Sequence, residues 1–374
     1  MTIKYIYYLY LLLSTLSLHG ITNTNQNFNN QNNQTKLICI NKDKSYKNAH
    51  FFIQDFAKNI EYIPLETNDN CLIGKESEIE SIRATEKDIF IIEWNVIYRF
   101  SRKDGKFLNQ IGKRGAGPSE FASKRSVFIN EKKQEIFLHD IMKYKILVYS
   151  FDGIAKREIE IPELFQLELI DENTFVGTSN GPNTNIPGFG LYSLLDGKII
   201  NKLSENYKSR SGVSYYLIPK YTTARLNKNE IFFNTYITDT IFSVNKNGRT
   251  PRYALLPPNN GKTTKEEESC STPFLLCETD IFANIYVYGA NHKVYKSFVI
   301  NKNTETITKG FIVNKEYSGQ IFPFNTGIDN EIAALHYAYI LKGREEGGLL
   351  FGKLKEITKN LDEEDNPVVV IANF

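Results

Sequence analysis

The sequence predicts an all-β fold built from repeats, and three observations predict it. One phrase recurs. Tyr98-Arg99-Phe100-Ser101-Arg102-Lys103-Asp104-Gly105 returns as Val148-Tyr149-Ser150-Phe151-Asp152-Gly153 and as Leu191-Tyr192-Ser193-Leu194-Leu195-Asp196-Gly197, with weaker copies at Ile241–Gly248 and Phe298–Thr304. Each copy is an apolar strand running into a turn dipeptide, where Gly, Asn and Asp tolerate positive φ. The spacing is regular: 48 residues from Asp104 to Asp152, 44 to Asp196, 51 to Asn247 and 56 to Asn303. Composition agrees, with 25 Phe and 22 Tyr against 2 Met and 1 Trp, an aromatic excess that favours strands. Short strands at a period of roughly 50 residues are the signature of a β-propeller. The stretch from 58 to 374 divides into six such repeats more evenly than into seven. The expectation is a six-bladed β-propeller of four-stranded antiparallel blades.

The elements follow in order. Lys4 precedes an apolar run from Tyr5 to Leu18, too short for a comfortable membrane span and placed as a signal peptide over residues 1–20. No Cys follows it closely, so no lipid anchor on Cys is expected. Asn23 to Lys36 is dominated by Asn and Gln and cannot bury apolar surface; residues 21–57 read as a disordered linker and lead-in. The propeller begins near Lys58 with the strand Ile60–Leu65, an edge strand because of Pro64. Strands are expected at Ile79–Ala84, Asp88–Glu93, Val96–Phe100 and Lys106–Ile111, and in the second repeat at Ser126–Ile129, Glu135–His139, Lys145–Tyr149 and Ile154–Ile161. Later repeats begin near Phe165, Thr222 and Pro273. A sixth repeat, completed by the two terminal strands, has inner strands near Gln320–Phe324 and Glu331–Ala338. A short amphipathic helix is expected over Glu345–Leu361, from the spacing of Leu349, Leu350, Leu354, Ile357 and Leu361. Val368–Phe374 is a terminal strand, expected to pair with the N-terminal strand around Tyr62 so that the ring has no open edge.

The sharpest local motif is Ile111-Gly112-Lys113-Arg114-Gly115-Ala116-Gly117-Pro118-Ser119-Glu120-Phe121. It could be an anion-binding nest assisted by Lys113 and Arg114, or a connection whose glycines serve close packing. Packing is the favoured reading, since no Lys-Ser or Lys-Thr and no helix pattern follow. This loop, the opening Glu61-Tyr62-Ile63-Pro64-Leu65-Glu66-Thr67 and the closing Asn366-Pro367-Val368-Val369-Val370 together resemble a family of exported six-bladed β-propellers of Bacteroides-type bacteria, in the style of NHL repeats. The resemblance covers nearly the whole folded region and implies the fold rather than an activity. The family often places Asp at the end of a blade's second strand; this chain has Glu93-Trp94 and His139-Asp140 there.

The formal charge of +2 gives no general pull toward nucleic acid or anionic membrane. No His-Glu-x-x-His, paired-cysteine zinc motif or Gly-x-Ser-x-Gly elbow is present. His139 and Asp140 are adjacent on a strand and face opposite ways, so they are no dyad; His139 is expected at a partly buried turn. Glu80, with Asp69, Glu76 and Glu78, reads as charged surface. Cys39, Cys71, Cys270 and Cys277 fit no zinc spacing. The expected function is a monomeric extracytoplasmic binding or interaction module, periplasmic or at the cell surface, for a sugar, glycan or peptide. Its candidate ligand contacts are Trp94, Arg99, Lys113, Arg114 and His139, with no catalytic residue assigned. One alternative is a metal-dependent lactonase or esterase-like hydrolase, as in some propellers this one resembles. Glu93, Asp140 and Glu278 would then hold a divalent metal such as calcium. A structural scaffold is the other alternative.

Overall fold

The computed structural model describes residues 36–39, 45–179, 186–204, 224–227, 230–234, 240–256, 268–276, 280–288, 293–301 and 303–374. In chain order, β1 (Lys36–Cys39), β2 (Asn48–Phe52), a one-turn helix α1 (Ile53–Phe56) and β3 (Asn59–Pro64) precede the first meander. The first sheet is β4 (Ile79–Ala84), β5 (Asp88–Glu93), β6 (Val96–Ser101) and β7 (Phe107–Lys113). The second is β8 (Lys124–Asn130), β9 (Glu135–Asp140), β10 (Lys145–Ser150) and β11 (Ala155–Glu160). The third is β12 (Gln166–Leu169), β13 (Thr174–Thr178), β14 (Phe189–Ser193) and β15 (Ile199–Ser204). The fourth is β16 (Ala224–Asn227), β17 (Glu230–Asn234), β18 (Thr240–Asn245) and β19 (Gly248–Leu256), with β1 parallel to β19. The fifth is β20 (Glu268–Leu276), β21 (Asp280–Tyr288), β22 (Lys293–Asn301) and β23 (Ile307–Asn314); β2 runs parallel to β23 and the short β24 (Gly319–Gln320) antiparallel to it. The chain ends with β25 (Phe324–Asn325), β26 (Glu331–His336), helices α2 (Ala338–Glu346) and α3 (Gly352–Thr358), and β27 (Val368–Asn373). The last sheet has the order β25-β26-β27-β3, so the first and last strands of the repeat region pair, Tyr62 opposite Val370. The protein is an all-β chain of β-propeller type, its described strands falling into six mainly antiparallel sheets.

Burial within a sheet explains the sequence pattern. All six residues of β5 and of β9 are buried, whereas β11 buries only Ile159. A second strand is covered on both faces by neighbouring sheets, so it reads as a continuous apolar run rather than an alternation. Phe90, Ile92 and Ile97 meet Val127, Leu138 and Tyr149 between the first two sheets. Phe128 and Phe137, stacked at 5.1 Å, meet Leu167, Phe175 and Tyr192 between the second and third. Ile63, Val369 and Ile371 of the last sheet pack on Ile82, Ile89 and Phe100 of the first.

The recurring Asp-Gly turn has a second cause beside its conformation. Gly105 has φ +70°, and a Cβ there would lie 1.9 Å from the carbonyl oxygen of Pro64 on β3. Gly197 has φ +71° and would strike the Glu160 carbonyl of β11 at the same 1.9 Å. Each turn glycine therefore presses on the outer strand of the preceding sheet, where only hydrogen fits. The repeat in sequence is a repeat of this contact.

The C-terminal region differs from expectation. One helix over Glu345–Leu361 is instead two, because Gly347 and Gly348, the latter at φ +67°, break it. Leu341, Leu350, Leu354 and Leu361 pack on Tyr62, Val368 and Val370. The strand expected at Gln320–Phe324 splits between β24 and β25, and the lead-in carries β1, β2 and α1 in place of disorder over 36–39 and 48–56. These two strands join outer edges in parallel, a pairing that no local signal announces. The expected signal peptide lies outside the described residues. Among the described residues no helix is long and apolar enough to cross a membrane.

Candidate functional site

Meander topology puts the start of each first strand, the turn between second and third strands, and the connection to the next sheet at one end of the molecule. At that end the first strands of three sheets, β4, β8 and β12, line a pocket of about 140 Å³. Glu80 and Arg83, Lys124 and Arg125, and Gln166 and Glu168 line it, together with the apolar Ile92, Val127 and Leu167. Arg83 Nη2 donates to Glu168 Oε2 at 2.8 Å. This bond joins the first sheet to the third across the front of β8. Arg83 also approaches the last sheet, since a Cβ on Gly327 would lie 3.3 Å from its Nη1. Its buried Nε has no acceptor among the described residues. Lys124 has a side chain only 1% exposed, pairs with Glu80, and lies 5.3 Å over the Phe121 ring. Burial pulls the Lys124 amine down from its ordinary range, and Glu80 opposes that. Arg125 stacks over Phe165 at 4.1 Å. Glu80 is thus no solvated surface residue, because Lys124 draws it into the pocket wall.

The residues singled out in the sequence are divided by the structure. Trp94, half exposed, sits at the β5–β6 turn, and its carbonyl lies 3.5 Å from Lys124 Nζ. Arg114 caps the Trp94 ring at 5.7 Å and donates to the Ala122 carbonyl at 3.2 Å. Lys113 pairs with Glu120 at 3.1 Å. Arg99 is elsewhere: it donates to Asp88 at 2.9 Å and reaches Phe151 and Asp152 of the next sheet. It ties neighbouring sheets together.

His139 is fully buried within β9, not at a turn, and neither ring nitrogen has a partner among the described residues. Burial, with Arg125 nearby, pulls its pKa down to about 3, so the ring is neutral.

Two of the expected metal ligands accept from backbone amides. Asp140 accepts from the amides of Ala122 at 2.7 Å, Ser123 at 3.2 Å and Met142 at 3.2 Å, holding the connection before β8. Glu93 accepts from the Gly74 amide at 2.7 Å, while burial pushes its carboxyl up. Each is a clasp on backbone. Glu278 lies outside the described residues. Among the described residues no three His, Cys, Asp or Glu side chains group as a metal would need. Cys71 is a free buried thiol, pushed up by burial.

The glycine loop contains its own anion. Gly117 donates to Glu120 Oε2 at 2.8 Å, and a Cβ on Gly115 would lie 2.0 Å from the same oxygen. The Gly117 amide and Lys113 hold the Glu120 carboxyl below its ordinary range. The glycine with positive φ is Gly112, at +61°.

The pocket residues escaped the sequence reading because they are common surface types. A signal was present nonetheless: charged residues inside the first strand of successive repeats, where burial would otherwise call for apolar ones.

Comparison with known proteins places the chain in a family. Residues 26–373 match the model of the domain of unknown function DUF4934, and the chain belongs to that family. A chain from Bacteroides fragilis named "putative exported protein" shares the fold, with 19% identity, a TM-score of 0.66, and coverage of 91% of this chain and 100% of the other. A member of the DUF4221 family from Bacteroides vulgatus is 12% identical, with a TM-score of 0.47 over 85% of this chain and 98% of the other. BamB from Moraxella catarrhalis is 10% identical, with a TM-score of 0.44 over 83% and 100%. No curated protein matches the chain.

Proposed function

We propose that the chain is a six-bladed β-propeller acting outside the cytoplasm as a binding module, with its ligand site where the inner strands of the first three sheets converge. One observation carries this reading. Glu80, Arg83, Lys124, Arg125, Gln166 and Glu168 come from three repeats and line one pocket. A rigid frame of short strands that aims polar side chains at one point is suited to orienting a small polar ligand. The pairing of β27 with β3 supports a ring without an open edge. The apolar run Tyr5–Leu18 supports export. The inference from fold to binding is one of architecture, and the pocket gives it a location.

The test is a thermal-shift screen of the purified chain against sugars, peptides and lactones, with a metal analysis of the same preparation. A ligand that raises the melting temperature of the parent but not of an Arg125→Ala variant supports the site. A ligand that acts equally on both places the site elsewhere.

A further inference from the structure

We infer that the surface between Tyr339 and the Glu76–Glu78 turn is a docking site for a partner protein, and that the partner presents an arginine to it. The inference goes beyond the pocket and uses none of its lining residues. Exposed rings are the first ground. Tyr339, at the start of α2, is 59% exposed, and Trp94, at the β5–β6 turn, is 51% exposed. A series of contacts joins them. The Tyr339 ring lies 5.9 Å from that of Tyr337. The Tyr337 hydroxyl donates to the Gly74 carbonyl at 3.3 Å. The Glu78 carboxylate lies against Gly74, where a Cβ would strike its Oε2. The Glu78 carbonyl accepts from the Trp94 amide at 3.1 Å. Exposed aromatic rings grouped in this way mark surfaces that meet other proteins.

Charge is the second ground, and it decides the occupant. Between Glu66 and Glu78 the chain has the acids Glu66, Asp69, Glu76 and Glu78 against the single base Lys75. Glu66 accepts from the Phe107 amide at 2.8 Å. The exposed side chains of Glu76 and Glu78 have no hydrogen bond or ion pair among the described residues. Burial pushes the Tyr337 phenol up, and Glu76, Glu93, Tyr339 and Glu78 push it the same way. The charged groups that bear on that ring are thus carboxylates. The cations of α2 are turned to other partners: Lys342 pairs with Glu345 at 3.1 Å, and Arg344 lies over the Tyr317 ring at 4.0 Å.

The molecule's own rings indicate which cation fits. Arg114 lies over Trp94, Arg344 over Tyr317 and Arg99 over Phe151. Tyr339 has no cation over it among the described residues. A guanidinium can stack on a ring and fork onto a carboxylate at once, whereas an ammonium is a point charge. A partner arginine with its plane on Tyr339 and its N–H groups toward Glu76 and Glu78 meets both features of the surface.

The experiment is fluorescence anisotropy of labelled tetrapeptides with the full purified chain at low salt. The probes are acetyl-Gly-Arg-Arg-Gly-amide, its Lys and Glu counterparts, and the same peptide with citrulline in place of arginine, which keeps the shape and removes the charge. The Arg peptide is expected to bind at least tenfold more tightly than the citrulline and Glu peptides and at least threefold more tightly than the Lys peptide, and to weaken with added salt. Trp94 is the only tryptophan in the chain, and its emission is expected to change on binding. Tyr339→Ala and the double variant Glu76→Gln/Glu78→Gln, all at exposed positions, are each expected to weaken binding fivefold or more, with melting temperatures measured alongside to show that both are folded. The control Glu363→Gln/Glu364→Gln removes the same charge from another exposed site and is expected to change binding less than twofold. No binding of the Arg peptide at millimolar concentration, equal binding of the Arg and citrulline peptides, binding undiminished by Tyr339→Ala, or an equal loss in the control overturns the inference. A Lys peptide that binds as tightly overturns the choice of arginine. Sedimentation velocity of the chain alone is expected to show a monomer; a dimer that Tyr339→Ala dissociates gives the surface to a second copy and overturns the partner assignment. The pocket is tested separately through Arg125→Ala, so the two readings fail independently.

Discussion

Arg102 supplies the sharpest test of how the first and last sheets are held. It leaves the first sheet at the end of β6. Its Nη2 lies 2.6 Å from Glu61 Oε1 on β3 and 2.7 Å from Glu331 Oε2 on β26, while Nη1 donates to the Thr85 carbonyl at 3.0 Å. The Glu331 side chain is 1% exposed and Glu61 is 30% exposed. Replacing Arg102 by Met keeps the stem and removes the charge. Glu61 can turn to water; Glu331 is left as a buried, unpaired carboxylate. Breaking a buried pair in this way costs about 3–5 kcal/mol.

The sign of the pH dependence follows from Glu331. Burial already pushes its carboxyl up, against the pull of Arg102, and removing Arg102 pushes it higher. A carboxyl raised in the folded state contributes stability below its unfolded pKa and loses it as pH rises through the folded value. The deficit of Arg102→Met is therefore expected to be largest near pH 8 and to shrink toward about pH 5, as Glu331 takes up a proton. Urea denaturation of parent and variant at the two pH values, followed by far-UV circular dichroism, reads this directly. The double variant Arg102→Met/Glu331→Gln removes the buried charge and is expected to recover most of the loss. A deficit equal at both pH values, or a double variant no more stable than the single one, refutes the reasoning.

Other expectations follow from the same contacts. Gly115→Val and Gly117→Val displace the Glu120 carboxylate and are expected to lower stability by about 1–3 kcal/mol, the scale of a cramped core or loop, whereas Lys113→Ala with Arg114→Ala changes it little; phosphate that stabilises the parent but not the double-alanine variant reverses this assignment. Asp140→Ala leaves the amides of Ala122, Ser123 and Met142 without their acceptor and is expected to cost about 2–4 kcal/mol, with Asp140→Asn costing less; equal losses in chemical denaturation argue that the carboxylate has no special part. Because His139 falls from its ordinary 6.5 to about 3, its unfolded form takes up the proton first and stability drops as pH falls across that interval; His139→Phe is expected to flatten that slope in melting curves, and an unchanged slope counts against it. Deleting Asn366 to Phe374 removes β27 and exposes β26 and β3, and is expected to give insoluble or molten protein; a cooperative melt at the parent temperature contradicts that.

Much of the fold was legible because its main contacts recur in the chain. The turn glycines at 105 and 197 repeat as they do because each meets the backbone of the preceding sheet at the same point. The apolar runs of β5 and β9 announced strands covered on both faces. What stayed hidden is non-local. Nothing in Asn48–Phe52 says that it will lie parallel to Ile307–Asn314. The pocket was illegible for a related reason: Arg83 and Glu168 are ordinary in their own repeats, and only the approach of β4 and β12 makes them partners. Trp94 and Arg114 were visible as unusual residues, and the structure brings them together. Arg99 and His139 looked equally unusual, but structural contacts and burial account for them.

The union of β3 with β27 has a consequence in time. The two partners are more than three hundred residues apart in sequence, and a chain made or threaded N-terminus first presents β3 long before β27 exists. Pairings between sequence neighbours can form early, but this one waits for the last residues, and distant pairings are the slow ones. Until then β3 lacks its partner, with Tyr62 and Ile63 waiting for a cover they have in the finished molecule. Completion of the last sheet is thus tied to the arrival of β27, and any arrest or clipping before residue 368 leaves β3 without its partner.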